Sequence, residues 1–482
     1  MTLTLFSAGY AAAAFILFHI LPRRIRIPFL CAASLLYVYV LDRTAFIFLI
    51  VTIPVFYLTG RAVTSLKEHG ADKKAKTAAA VCIAFSLLIL AALKFLPFFA
   101  GMRAEGTTDP LITKLFVPLG FSFYLFQAVS YLAEMVRGSI GQPRFMEFVL
   151  YLSWFPKFIS GPIEKPDAFI GQLREISAAG HKQETYYTEA LFGILYGVFL
   201  KIVIADRFGM YADTIFESPQ AFSSAWILLG ILMYTLQIYC DFAGYSAAAV
   251  GFSLLFGIRL SENFRTPYLS SNINDFWRRW HISLSTWLRD YLYIPLGGNR
   301  KGTARRILNT MIVFIVCGLW HGAGAGFLIW GILHGVYSAL DYLIRTCPAK
   351  WLQFLRNGIA GRILTFIAVS FAWIFFRCGT LQGSSQLLYY LFTAGPRWHS
   401  FPYEMEALGI NQVEYSVMAG LVLLLLACDI PAFIKDRSFP QLLSKAPLTV
   451  KCLAVYLLLT GLIILGIYGT AYTGGRLIYM QF

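Results

Sequence analysis

The sequence predicts an all-α, polytopic membrane protein with about twelve transmembrane helices plus re-entrant and interfacial helices. Three observations carry this. The 482 residues are 58% hydrophobic and only 13% charged, against about 25% charged in a soluble domain. The apolar runs are long and do not alternate apolar with polar residues, so helices rather than a barrel satisfy the backbone in lipid. Phe, Tyr and Trp are abundant, at 16% together, as expected where aromatic belts line both interfaces.

Taken in order, the run 4–21 has no basic region before it and no A-x-A-like site after it, and reads as a retained span rather than a cleaved signal. Spans follow at 28–41, 44–60, 78–100 and 113–135. The stretch 145–160 is apolar but ends in Pro156, Lys157, Gly161 and Pro162. It reads as re-entrant, with the Lys157 ammonium snorkelling toward water. Residues 181–189 read as a solvated loop. Further spans lie at 188–206, 223–257, 307–320, 326–345, 359–377, 413–433 and 452–470. Several fall short of the ~20 residues of a straight crossing, and so are tilted, broken or partial. No internal repeat is evident, which weighs against transporter folds built from duplicated halves.

The formal net charge is +15. In a soluble protein that would suggest nucleic acid; here topology explains it, and no nucleic-acid partner is expected. With the N-terminus outside, the cytoplasmic loops 22–27, 61–77, 136–187, 258–306, 345–362 and 434–451 hold 31 of the 40 Lys and Arg. The bias predicts both termini outside and residues 272–301 on the cytoplasmic face. The eight Cys are scattered, without C-x-x-C or other metal-ligand spacing, so neither a structural disulfide nor a zinc site is expected.

Residues 272–301, NINDFWRRWHISLSTWLRDYLYIPLGGNRK, concentrate three Trp, four Arg, one His and two Asp. Asn272 suits an N-cap, with Asp275 three residues on. Projected as one helix, 275–291 gathers Phe276, Trp277, Trp280, Leu284, Trp287, Leu288 and Tyr291 on one arc. Arg278, Arg279, Arg289 and Asp290 lie opposite, with His281 on the border. Two readings compete: an interfacial helix with Arg on lipid phosphates, or His281 at a cavity edge with arginines drawing in an anionic donor. Residues 299–306 carry four positive charges, Arg300 among them.

Residues 317–335, CGLWHGAGAGFLIWGILHG, place His321 and His334 in an apolar run. The glycines argue against one straight helix there. An intramembrane imidazole is either a neutral group bonded at a helix interface or a functional one. The chemistry that fits is general-base catalysis, in which a neutral imidazole takes a proton from a hydroxyl that attacks an activated acyl group. His281, His321 and His334 lack the carboxylate or paired spacing of a metal site. Gln237, Asp241 and Tyr245 are candidates to line the same cavity. Asp241 is the sharpest, since a buried carboxylate needs a partner.

At these residues the chain resembles the membrane-bound O-acyltransferase family, and within it the bacterial alginate O-acetylase branch. The D-alanyl-teichoic-acid transferases are nearer cousins than the eukaryotic lipid enzymes. The stretches that carry the resemblance are YLSWFPKFISGPIEKP, QIYCDFAGYSAAAVGFSLLFGI, ENFRTPYLSSNINDFWRRWHISLSTWLRDYLYIPLGGNRKG, the LWHG and ILHG elements, and IYMQF. It implies one integral membrane domain over 1–482 with its core about 113–345, a helical ring with a central tunnel, and multi-pass residence in the bacterial cytoplasmic membrane. It implies that His321 matches the family's catalytic histidine and that His281 falls at its second polar position. No bound cofactor is implied. The donor would be acetyl-CoA or another acyl thioester. Partners would be membrane lipids, a polysaccharide acceptor and an extracytoplasmic acyltransferase.

The expectation is therefore an O-acyltransferase acetylating an exported or cell-wall polysaccharide. His321 and His281 are the catalytic candidates. Trp277, Arg278, Arg279, Trp280, Arg289, Asp241, Tyr245, Trp320 and His334 are the substrate-binding candidates. The rivals are D-alanyl transfer to teichoic acid, a transporter or flippase with a proton-relay histidine, and a structural anchor for a polysaccharide synthase.

Overall fold

The computed structural model describes residues 2–103, 116–179, 186–347 and 358–468. Among them there are twenty α-helices and no strand. They are α1 (Thr2–Ile20), α2 (Arg23–Leu41), α3 (Arg43–Glu68), α4 (Asp72–Arg103), α5 (Phe121–Arg137), α6 (Phe145–Ser153), α7 (Pro166–Ala179), α8 (Tyr187–Phe199), α9 (Asp206–Glu217) and α10 (Ser224–Leu255). After these come α11 (Ile273–Arg279), α12 (Ile282–Leu288), α13 (Gly302–His321), α14 (Ala325–Thr346), α15 (Gly358–Cys378), α16 (Leu381–Thr393), α17 (Phe401–Ala407), α18 (Gln412–Lys435), α19 (Phe439–Ser444) and α20 (Leu448–Leu465). A π-helical turn, Leu200–Ala205, joins α8 to α9.

Ten stretches among the described residues are long and apolar enough to cross a membrane. Two of the twelve expected spans are not among them. The first, 4–21, holds a shorter apolar helix, Phe6–Ile20. The second, 113–135, is described as helix only from Phe121, and α5 has 17 residues. The chain divides into two compact units, residues 1–194 with 246–262, and residues 195–245 with 263–481.

In the first unit, Asp42 caps α3, accepting from the Thr44 and Ala45 amides at 2.8 and 3.1 Å. Helix α6 has nine residues, about 14 Å at 1.5 Å per residue, so it cannot span a hydrocarbon core of about 30 Å. A tight turn, Phe155–Lys157, follows. Lys157 does not snorkel. It is 1% exposed, and its ammonium donates to Gln127 Oε1 and to the Tyr151 carbonyl, the latter at 2.7 Å. The rings of Tyr151 and Phe169 lie 4.9 and 4.8 Å from it. Burying an ammonium is tolerable only with such partners, and they outcompete the route to water. Residues 187–189, expected in a loop, begin α8; 181–185 lie outside the described residues.

In the second unit, several charged groups within the candidate spans are paired. Lys201 bonds Asp241 at 2.5 Å and Asp206 at 2.8 Å. Arg207 bonds Glu414 at 2.5 Å and the Leu465 carbonyl at 2.6 Å, and Tyr211 donates to the same Glu414 at 3.0 Å. Helices α13 and α14 form a hairpin that crosses where both carry glycine. A Cβ on Gly318 would stand 2.4 Å from the Phe327 carbonyl oxygen, and one on Gly331 would stand 2.4 Å from that of Phe314. Small residues permit this approach where helices associate by van der Waals contact.

Candidate active site

The segment 275–291 is not the single amphipathic helix expected of it. It is two seven-residue helices, α11 and α12, broken at Trp280–His281, with a π-helical turn, Arg289–Tyr293, continuing α12. The N-cap is as expected: the Asn272 side chain accepts from the Asp275 amide at 2.9 Å. The break arises because His281 is left-handed, with φ 42° and ψ 54°. That conformation costs a non-glycine residue about 1–2 kcal/mol, and such strain persists where the surroundings over-determine it. A straight 100° projection cannot find the break, because the bonds that hold it come from residues 263–265.

His281 is fully buried, 0% exposed. Its ring meets the Phe242 ring edge-on at 4.7 Å and lies 6.4 Å from the Trp320 ring. Burial pushes its imidazole down to about 3, so the ring is neutral at physiological pH. A depressed histidine adds stability that is fully present above the ordinary value near 6.5 and is lost as pH falls toward 3. The expected result is a loss of about 2 kcal/mol between pH 8 and pH 5, reduced in His281→Leu. Thermal unfolding of both proteins across that range checks it.

His321 is the last residue of α13 and is 2% exposed. Its ring sits among Trp320, Phe376 and Trp330, at centroid separations of 4.8, 5.0 and 5.1 Å. Trp320 therefore neighbours both catalytic candidates. Trp330 stacks on Trp373 at 5.7 Å, and Trp373 lies 4.9 Å from Trp280. Four residues after Trp330, on the same face of α14, His334 accepts at Nδ1 from Trp277 Nε1 at 3.2 Å. Trp280 and His334 are thus parts of the aromatic wall.

A cavity of about 520 Å³ lies in the same unit, and Arg278, Arg289 and Arg306 all line it. So do Trp277, Tyr293 and Tyr342, with the hydroxyls of Ser285, Thr286, Thr310 and Ser338. The Arg306 guanidinium lies 3.8 Å over the Tyr342 ring, and Arg289 pairs with Asp290 at 2.7 Å. Trp277 connects this cavity to the histidines, its ring lying 5.8 Å from Trp330 and 5.1 Å from His334.

Other candidates go elsewhere. Arg279 pairs with Asp275 at 3.0 Å and lies 4.6 Å over Phe433 rather than lining the cavity, because consecutive residues of α11 point about 100° apart. The Asp241 carboxylate is held by Lys201, and Tyr245 is half-buried one turn further along α10. Sequence reasoning passed over Trp330 and Trp373. The i, i+4 spacing of Trp330 and His334 was a readable signal for the first; nothing local marks Trp373. It also passed over Asn263, whose partners lie about twenty residues away.

The sequence profile of the membrane-bound O-acyltransferase family matches residues 134–379. The probable alginate O-acetylase AlgI of Pseudomonas putida is 36% identical over 67% of this chain and 65% of its own length. The peptidoglycan O-acetyltransferase of Helicobacter pylori is 34% identical over 57% of this chain and 56% of its own. The teichoic acid D-alanyltransferase of Bacillus subtilis is 29% identical over 60% of this chain and 75% of its own. The chain spans 65% or less of the length of the AlgI relatives it matches.

Proposed function

The chain belongs to the membrane-bound O-acyltransferase family, and from that premise we propose that it moves an acyl group, acetyl, from a cytosolic thioester to an acceptor hydroxyl, across the membrane toward an exported or cell-wall polysaccharide. The observation that carries the reading is the Trp277 wall. It bounds a cavity with three guanidinium groups on one side and packs on Trp330, the neighbour of His321, on the other. Guanidinium groups suit the phosphates of a thioester donor such as acetyl-CoA, which they bind through charge-assisted bonds. The excess of Lys and Arg in alternate loops supports a cytosolic face for this cavity and a multi-pass place in the bacterial cytoplasmic membrane. An extracytoplasmic acyltransferase would then pass the group to the polymer.

In this mechanism the His321 imidazole takes the proton of the attacking hydroxyl. The hydroxyl oxygen bonds to the thioester carbonyl carbon, the carbon–sulfur bond breaks, and the proton passes from His321 to the departing thiolate. The neutral His281 ring donates toward the carbonyl oxygen as charge gathers there. The dry aromatic surroundings guard the activated acyl group from water.

Mass analysis of the polymer from cells with and without the protein tests the reading. A gain of acetyl groups is expected; a gain of alanyl groups would move the assignment to the D-alanyl branch, and no covalent change would overturn it. Arg278→Ala, Arg289→Ala and Arg306→Ala are each expected to raise the donor KM by about 10- to 150-fold, since a hydrogen bond to a charged group contributes about 1.5–3 kcal/mol. Titration of acetyl-CoA in membrane vesicles measures it.

A further inference from the structure

The left-handed break at His281 is held by a short segment outside any helix, Asn263 to Arg265. On one side of the break the Arg265 amide donates to the Arg279 carbonyl at 2.9 Å; on the other the Ile282 amide donates to the Asn263 carbonyl at 3.0 Å. The Asn263 side chain adds a second grip, its Oδ1 accepting from the Ser283 amide at 3.2 Å and from the Ser283 hydroxyl at 2.6 Å. Asn263 is 2% exposed and Ser283 6%. The two side chains at the break are sorted by the same neighbourhood. Trp280 packs edge-on to Phe264 at 4.9 Å, while His281 meets Phe242, which itself lies 4.9 Å from Phe264.

The chemistry of a helix start explains why this matters. The first amides of a helix lack intrahelical acceptors, and the residue before the helix normally supplies its side chain as the cap. His281 occupies that position in α12, but its imidazole makes no capping bond. Asn263 takes both jobs from a distance, its carbonyl holding the Ile282 amide and its side chain holding that of Ser283. The imidazole is thereby spared from capping.

We propose that Asn263 is a positioning residue for His281, capping α12 from outside so that the His281 ring stays on the Phe242–Trp320 side for the reaction. This rests on the reading of His281 as the group that polarises the acyl carbonyl. Misplacing a reacting group by about 1 Å can cost on the order of 10²-fold in rate.

The test compares Asn263→Ala, Asn263→Asp and His281→Ala in the full-length protein in membrane vesicles of the polymer-producing cell. Labelled acetyl-CoA is the donor, and incorporation is normalised to inserted protein. Asn263→Ala is expected to lower kcat about 10²-fold with the acetyl-CoA KM unchanged, and Asn263→Asp, which keeps the acceptor oxygens, to recover most of it. Wild-type kcat per inserted molecule in Asn263→Ala, with His281→Ala inactive, overturns the proposal alone, as does a failure of Asn263→Asp to recover. A fully active His281→Ala overturns the role of His281 and the positioning role together, while leaving His321 as base to be judged separately.

Discussion

Replacing His321 with alanine is expected to cut acyl transfer by roughly 10²–10⁴-fold, the range that a positioned general base contributes. The ring is 2% exposed and enclosed by Trp320, Trp330 and Phe376, so no water of bulk solvent substitutes for it. Truncation also leaves a void among aromatic rings, and lost packing lowers stability. His321→Gln therefore accompanies it: the amide fills more of the space but is not a base, and it too is expected to be inactive while yielding inserted protein. The measurement is acyl content of the polymer per inserted molecule. Normal transfer by a well-inserted His321→Gln protein would remove His321 from the chemistry.

The largest expected effect on stability comes from Asp241. Its carboxylate and that of Asp206 share the Lys201 ammonium at 2.5 and 2.8 Å, and Asp241 is 2% exposed. Removing one partner of a buried ion pair costs about 3–5 kcal/mol, because a charge is left behind without compensation. Asp206 remains, so Asp241→Ala is expected near about 3 kcal/mol, the lower end of that range. Thermal unfolding in detergent and the amount of inserted protein read it. The same variant separates two roles: as a structural ion-pair partner Asp241 affects yield and melting but not turnover per folded molecule. Unchanged melting with lost turnover would return it to substrate binding.

What was legible in the sequence was whatever depends on short range. The long apolar runs gave their helices, and the glycines of 317–335 announced the turn between α13 and α14, which falls at residues 322–324. Asn272 was a readable cap, since its partner is three residues away. Arg278 and Arg289 were readable as a group because one positive segment carries them to one cavity. The break at His281 was not, for its bonds come from Asn263 and Arg265. Nor was the partner of Asp241, forty residues earlier in the chain. The need for a partner could be stated from burial; its identity required the fold. Lys157 failed for the same reason: snorkelling is the default for an isolated ammonium, and Gln127 lies thirty residues off.

The pairing of Arg207 with Glu414 has a consequence for synthesis. The two are separated by 207 positions, and a ribosome adding about 5–20 residues per second needs roughly 10–40 s to travel between them. Through that interval the guanidinium has emerged and the carboxylate that neutralises it has not yet been translated. Pairing of Arg207 is therefore a late event, completed only after α18 has been made.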